Sequence, residues 1–483
     1  MQIEKAFIHC FRTPGGYYVY DVNRNSIVKI EQAVYKILSN RTEMENVCDN
    51  EINDDAYDII KCMLDNGFLS SNRIKEIVHP ADELLEYYLD NKLRMLTLQV
   101  TQQCNLRCKY CVYSGDYTNR THTNKRMNIE TAKKGIDFLI SHSRDCDNIS
   151  VGFYGGEPLL EFKLLKKCIE YTEERAEGKD ILFTLTTNAT LLTNDIIEYF
   201  QDHNVSLVIS LDGPEQIQDK NRRFAFNNCG TFDKVMSNLK NIENTYPKYL
   251  KEKMSFNVVL DRENDFSCIN SFFTDYEIVK DLDIRAQTID DRYTDLKIKD
   301  TADFDLKMNY ELFKVLLYKL GRLDGKYVSR LLAQYDDGVL RRTYNNLNMG
   351  EKLPDKAHHS GPCIPGVNRL FLTCDGEFMP CERVSENSDL MKIGSIDSGF
   401  NIEKVRKLLN IGKLTEDKCK ECWAFRFCNL CAASADGLTE FSAKKKAELC
   451  AGVINSVDET FKELCTLNEL GFNYKQECYF NIE

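Results

Sequence analysis

Six short apolar runs alternating with amphipathic stretches predict an α/β chain built on parallel strands. Twenty cysteines, concentrated in two places, predict that metal chemistry sits on that frame. The strand-like runs lie at 95–101, 149–154, 182–187, 206–211, 255–260 and 284–288, and helical periodicity fills 129–143, 160–176 and 195–203. Six units fall short of the eight of a closed barrel, so a partial (β/α)6 TIM barrel over residues 91–330 is expected. Residues 1–90 read as a separate small module. Two strands at 16–21 and 26–30 join through Asn23-Arg24-Asn25, and helices follow at 31–38 and 54–66 with Gly67 as a C-cap. His79-Pro80-Ala81-Asp82 is the expected linker. A helical bridge at 331–360 leads to a cysteine-dense segment, 361–483, where the β/α rhythm stops and metal becomes the organiser.

The 483 residues are 43% hydrophobic and 29% charged, ordinary for globular domains. The net charge, 63 − 75 = −12, is the wrong sign for general nucleic-acid binding. No apolar run reaches the ~18 residues of a membrane span. Residues 1–10 show neither an h-region nor a small-residue cleavage site. A cytoplasmic protein is expected, and in that compartment clustered cysteines mean metal binding or catalysis rather than disulfides.

Cys104, Cys108 and Cys111 follow the first strand with C-x3-C-x2-C spacing. Three thiolates in so short a loop suit three corners of a cubane iron–sulfur cluster and leave its fourth iron for a substrate or cofactor. Loops after parallel strands gather at the C-terminal face of the sheet, where barrel active sites lie. A zinc knuckle lacking one ligand, or three unrelated buried cysteines, are the competing readings; zinc usually takes four protein ligands or a His-containing triad.

This loop resembles the signature of the radical S-adenosylmethionine (SAM) enzymes. Behind it, in order, come Gly155-Gly156-Glu157-Pro158 after the second strand, which looks like that family's GGEP motif, Asn188 after the third, Ser210-Leu211-Asp212-Gly213-Pro214 at the end of the fourth, and Arg222. The resemblance implies a [4Fe–4S] cluster on Cys104, Cys108 and Cys111, with SAM chelated to the open iron. It also implies cofactor contacts from Tyr110 beside the adenine, from the GGEP segment at the methionyl amine, and from Asn188, Ser210, Asp212 and Arg222. One-electron cleavage of SAM would then give a 5′-deoxyadenosyl radical that takes hydrogen from a substrate. No motif singles out a catalytic base.

The second concentration reads Cys363-x12-Gly376-x4-Cys381, then Cys419-x2-Cys422-x5-Cys428-x2-Cys431, then Cys450. A zinc ribbon separates its C-x2-C pairs by roughly 12–20 residues, and the five found here are too few. Seven cysteines suit two iron–sulfur clusters, one closed by four ligands and one with three, with zinc as the alternative. The tail resembles the SPASM domain of radical enzymes that modify peptides. That likeness implies Cys419, Cys422, Cys428 and Cys450 on an outer cluster and Cys363, Cys381 and Cys431 on an inner one. Two features depart from the pattern: Cys428 and Cys431 are separated by two residues rather than three, and Ala357, His358 and His359 stand where the inner cluster's upstream ligand belongs. Cys374 or a histidine is a candidate substitute, and an inner iron left open for a substrate thiolate is the other expectation. The remaining scattered cysteines read as small buried hydrophobes.

The segment Tyr18-Val19-Tyr20-Asp21-Val22-Asn23 with residues 27–38 resembles the winged-helix-like element that holds leader peptides in ribosomal-peptide-modifying enzymes. The physical mode would be strand addition at a sheet edge; a structural or oligomerisation module is the plainer reading. Residues 368–386 look most like maturases that form Cys thioether cross-links in Cys-rich peptides. The resemblance thus implies SAM and three [4Fe–4S] clusters, a precursor peptide, and a low-potential donor such as flavodoxin or ferredoxin, with neither nucleic acid nor membrane as partner. The alternatives are a sulfatase-maturase-like, epimerising or carbon–carbon cross-linking enzyme, or a non-catalytic iron–sulfur or zinc peptide-binding protein.

Overall fold

The computed structural model describes residues 5–39, 54–113, 116–118, 120–294, 299, 301–347 and 352–474. Its N-terminal sheet is antiparallel, ordered β1 (Ile8–Thr13), β2 (Gly16–Asp21) and β3 (Ser26–Ile30). Strand alternation sends Val19 to one face and Tyr18 and Tyr20 to the other. On the first face, Val19 packs with Val34 and Leu38 of the Gln32–Ser39 helix and with Ala56 and Ile60 of the Asp54–Asp65 helix. On the second, Phe11, Tyr18 and Tyr20 pack against Ala424, Val457 and Phe461. The module is therefore docked on the C-terminal region. Strand β1 was not expected from the sequence, because His9, Cys10 and Arg12 interrupt its apolar alternation. Gly67 takes φ +78°, as a C-cap should. A short β4 (Glu76–Ile77) follows.

All six expected parallel strands are present: β5 (Met95–Thr101), β6 (Asn148–Gly155), β7 (Asp180–Thr187), β8 (Val205–Ser210), β9 (Met254–Leu260) and β10 (Asp283–Thr288). They lie side by side in chain order, as successive β/α units dictate. The covering helices bury one stripe each. Ile129–Ser141 starts on Asn128, whose Oδ1 accepts the Thr131 N–H at 2.8 Å, and it buries Ala132, Ile136 and Leu139. Phe162–Arg175 buries Leu165, Cys168 and Ile169 at the same periodicity.

The expected boundary at residue 361 is crossed by this sheet. After β11 (Lys356–Ala357), which pairs with β4, strand β12 (Leu370–Leu372) lies parallel to β5 with Leu370 opposite Leu96. The antiparallel β13 (Glu377–Met379), β14 (Gly394–Ser395) and β15 (Gly399–Phe400) continue outward, giving a ten-stranded sheet. Gly135 makes this closeness workable: a Cβ there would lie 2.5 Å from Leu372 Cδ2. The Cys450–Glu469 helix runs back to the N-terminal sheet through Val457 and Phe461. Among the described residues no helix is long and apolar enough to cross a membrane.

Candidate functional site

The loop after β5 carries Cys104, Cys108 and Cys111, and the three thiols lie within electrostatic reach of one another. Two backbone contacts shape the loop: Cys111 N–H donates to Cys108 O at 3.1 Å, and Leu106 N–H to Cys104 Sγ at 3.3 Å. Burial pushes the Cys108 thiol up to about 12 and the Cys104 thiol higher still. A bound metal reverses that preference by taking the thiolate. Among the described residues no three His, Cys, Asp or Glu side chains converge tightly enough for a single metal ion. A four-iron cubane is wider than one ion, so its thiolates stand further apart.

Gly155 has φ +140°, and a Cβ there would sit 2.0 Å from Thr101 O; at Gly156 it would sit 2.1 Å from Gln103 O. The Gly156 and Glu157 N–H groups donate to those same carbonyls at 2.8 and 2.9 Å. The glycines thus let the end of β6 press onto the start of the cysteine loop, a partner that the sequence reading of a close approach to SAM did not include. Glu157 is 1% exposed, and its carboxylate accepts from Leu159 N–H, Thr187 Oγ1 and Asn188 N–H at 3.1, 2.7 and 2.8 Å. This side chain ties β6 to β7. Burial raises its pKa to about 7. Pro158, buried, opens the Pro158–Glu161 turn.

Asp212, just past β8, gathers the other candidates. Arg222 Nε lies 2.9 Å from Asp212 Oδ2 and Nη2 lies 3.1 Å from Oδ1. Tyr110 Oη donates to Asp212 as well, with the guanidinium 5.3 Å from the Tyr110 ring centroid. Arg222 also lies within electrostatic and hydrogen-bonding reach of Cys108. Asn188 Nδ2 donates to Asn105 Oδ1 at 2.9 Å and sits 3.9 Å from Cys104 Sγ. Ser210, nearly buried, ends β8 two residues before Asp212.

A polar group that no motif announces lies between this loop and the second set of cysteines. Glu386 accepts from Gln99 Nε2 at 2.6 Å and Gln102 Nε2 at 3.0 Å, and it pairs with Arg120 Nε at 2.6 Å. Tyr113 Oη accepts from Gln99 Nε2 at 2.9 Å. Arg120 and Tyr154 are electrostatic neighbours, with Cys111 near both and Cys381 near Arg120. A cavity of about 270 Å³ opens beside them, lined by Gln102, Arg120, Lys125, Asp375, Glu386 and Lys392. Gln99 and Tyr154 share the strand face of Thr97 and Gly152, opposite the helices. A glutamine in the middle of a strand whose other face is apolar, Leu96, Leu98 and Val100, was the available sequence signal.

The seven C-terminal cysteines separate into two groups. Cys422 has Cys419, Cys428 and Cys450 as electrostatic neighbours, and Cys428 has Cys419 and Cys450. Cys381 has Cys363 and Cys431. Burial raises Cys422 to about 11 and Cys381 to about 12. Cys374 stands elsewhere: its thiol donates to Gln99 O at 2.9 Å, and its charged neighbours are Glu386, Asp375 and Lys125. Its proximity in sequence to Cys381 misled, because the β12–β13 hairpin turns it towards β5. His358 Nε2 accepts Gly412 N–H at 2.8 Å and its Nδ1 bonds His359 O at 2.9 Å. His359 Nδ1 accepts Gly361 N–H at 3.3 Å. His359 sits against the backbone of Cys428, a member of the group of four. Of the scattered cysteines, Cys146, Cys168 and Cys465 are buried, Cys62 and Cys229 are exposed, and Cys48 and Cys478 lie outside the described residues.

Residues 98–270 match the Radical SAM superfamily. The chain carries a radical SAM domain. Over 437 residues it is 23% identical to the radical SAM cyclopropyl synthase TigE of Paramaledivibacter caminithermalis, covering 85% of each protein. Over 350 residues it is 26% identical to the cysteine-type anaerobic sulfatase-maturating enzyme of Clostridium novyi, covering 70% of this chain and 86% of that one. In fold it is similar to native anSMEcpe solved with bound AdoMet, at a TM-score of 0.58 and 20% identity, over 78% of this chain and 99% of that one. It is a radical SAM enzyme related to peptide-modifying maturases.

A radical SAM domain uses SAM and a [4Fe–4S] cluster, and the residues present suit both. Three convergent thiols match three irons. The glycines hold the start of the loop against the end of β6, and Arg222 brings positive charge to Cys108. At the inner trio, Arg369 approaches Cys363 and Cys381, and Arg292 approaches Cys431. The outer four have the buried Lys446, with Nζ 3.9 Å from Cys419 Sγ.

Proposed function

We propose that this radical SAM enzyme modifies a ribosomally made, Cys-rich precursor peptide by closing Cys sulfur-to-carbon thioether cross-links. The observation that carries the reading is the division of seven C-terminal cysteines into a four and a three, with Cys374 turned away from the three. On this reading the four hold a closed outer cluster. Cys363, Cys381 and Cys431 would hold an inner cluster, which with three protein thiolates would leave room for a thiolate of the peptide. The radical SAM domain supplies the 5′-deoxyadenosyl radical that opens the acceptor carbon.

The chain's own residues frame that chemistry. Cys104, Cys108 and Cys111 hold the SAM cluster; Tyr110, Asn188, Ser210, Asp212, Arg222 and the 155–158 segment shape the SAM pocket around it. Arg120 and Glu386 line the space for the acceptor residue and the sulfur, with Tyr154 beside Arg120. The leader peptide adds to the edge of β3, which pairs with no further strand among the described residues, and a flavodoxin or ferredoxin supplies electrons. The working units are the leader module at 1–90, the barrel at 91–330, the bridge at 331–360 and the two-cluster region at 361–483.

Likeness to TigE along 85% of the chain favours a second reading, formation of a carbon–carbon bond on a peptide. One experiment separates them. Anaerobically reconstituted enzyme with SAM, reductant and a Cys-rich peptide should yield a product 2 Da lighter that has lost one alkylatable thiol. A product 2 Da lighter with every thiol still alkylated selects the second reading.

A further inference from the structure

Lys446 is 1% exposed, and among the described residues its ammonium contacts a hydroxyl and a thiol rather than a carboxylate. Its ammonium donates to Thr415 Oγ1 at 2.8 Å and stands 3.9 Å from Cys419 Sγ, while Thr415 Oγ1 itself lies 3.3 Å from that sulfur. Cys428 feels the same charge. Burying an unpaired ammonium is costly, so its site calls for an anion. A [4Fe–4S] cluster on four thiolates is such an anion, and it gains one further negative charge on reduction.

The inner trio is arranged differently. Arg369 is within 2.8 Å of Glu382, and Arg292 is tied to Asp290 through Nε at 2.9 Å. Its cations are already balanced by carboxylates, whereas the outer four face an unbalanced one. Positive charge favours the more negative, reduced state of a cluster and so raises its potential. We propose that Lys446 is the buried counter-charge of the outer cluster and sets its potential above that of the inner one, drawing an electron outward from the peptide site. This rests on reading the seven C-terminal cysteines as two clusters.

The test uses the full chain, reconstituted anaerobically, with iron analysis and a dithionite titration followed by electron paramagnetic resonance; each cluster takes one electron from dithionite. Lys446→Met should keep about twelve irons, from three four-iron clusters. The signal lost in Cys422→Ala should need a tenfold more reducing poise, about 59 mV for a one-electron couple. Lys446→Arg should titrate like the parent. Loss of that one cluster in the Met variant with recovery in the Arg variant also supports the counter-charge role. Full iron with an unshifted signal overturns it, as does equal loss in both variants. Parent protein holding about eight irons, unchanged by Cys422→Ala, would instead remove the outer cluster itself and the two-cluster reading with it.

Discussion

Arg222 meets Asp212 through two contacts, Nε to Oδ2 at 2.9 Å and Nη2 to Oδ1 at 3.1 Å, with both side chains less than a tenth exposed. Asp212 Oδ1 also accepts Val259 N–H at 3.1 Å, so one carboxylate fixes both the arginine beside Cys108 and the strand next to it. Asp212→Asn leaves a buried guanidinium uncompensated, which costs about 3–5 kcal/mol. The expected outcome is a lower melting temperature together with slower reductant-dependent 5′-deoxyadenosine formation. Equal stability and equal cleavage in the variant would deny the pair both roles.

The three cysteine groups should be separable by iron analysis. Cys104→Ala, Cys381→Ala and Cys422→Ala should each lose about four irons of about twelve. Only Cys104→Ala should abolish SAM cleavage outright; the other two should still cleave SAM and fail to close a cross-link. Cys374→Ala should keep all its irons, because its thiol bonds Gln99 O rather than standing with the trio.

Glu157 makes stability depend on pH. Burial raises its pKa from 4.5 to about 7, so the proton is held more tightly in the folded chain than in the unfolded one. Its contribution is therefore complete below about pH 4.5 and is lost as the pH climbs through 7. At 1.36 kcal/mol per unit the loss approaches about 3 kcal/mol. Thermal unfolding between pH 5 and 8 should decline in the parent and decline less steeply in Glu157→Gln; parallel curves would show that Glu157 does not titrate in this range.

The barrel was legible because short apolar strand runs and helices buried on one stripe leave patterns that survive in a single sequence, the helical stripe as at Leu165, Cys168 and Ile169. The first cysteine group was legible from its loop spacing, whereas the four and the three of the C-terminal set came from the resemblance to the SPASM domain, because spacing alone would pair Cys428 with Cys431. Three things were hidden. Strand β1 carries His9 and Arg12 where the pattern wants apolar residues, since His9 stacks on Trp423 and its ring environment comes from 414 residues away. The continuation of the barrel sheet into β12 depends on three residues, too few for a period. The Arg120–Glu386 pair joins positions 266 apart, and no local signal marks either partner.

The His9–Trp423 stack offers a readout for the leader peptide. The rings lie 3.7 Å apart and 2° from parallel, and Trp423 is the only tryptophan in the chain. His9 belongs to β1, at the opposite edge of the sheet from β3, which pairs with no further strand among the described residues. A strand added at β3 extends the sheet and shifts its twist, and β1 bears directly on Trp423. Titrating a leader peptide should therefore change Trp423 emission saturably, and His9→Ala should shift the starting emission and weaken the response. A peptide that binds by calorimetry with no change in emission would place it away from this sheet.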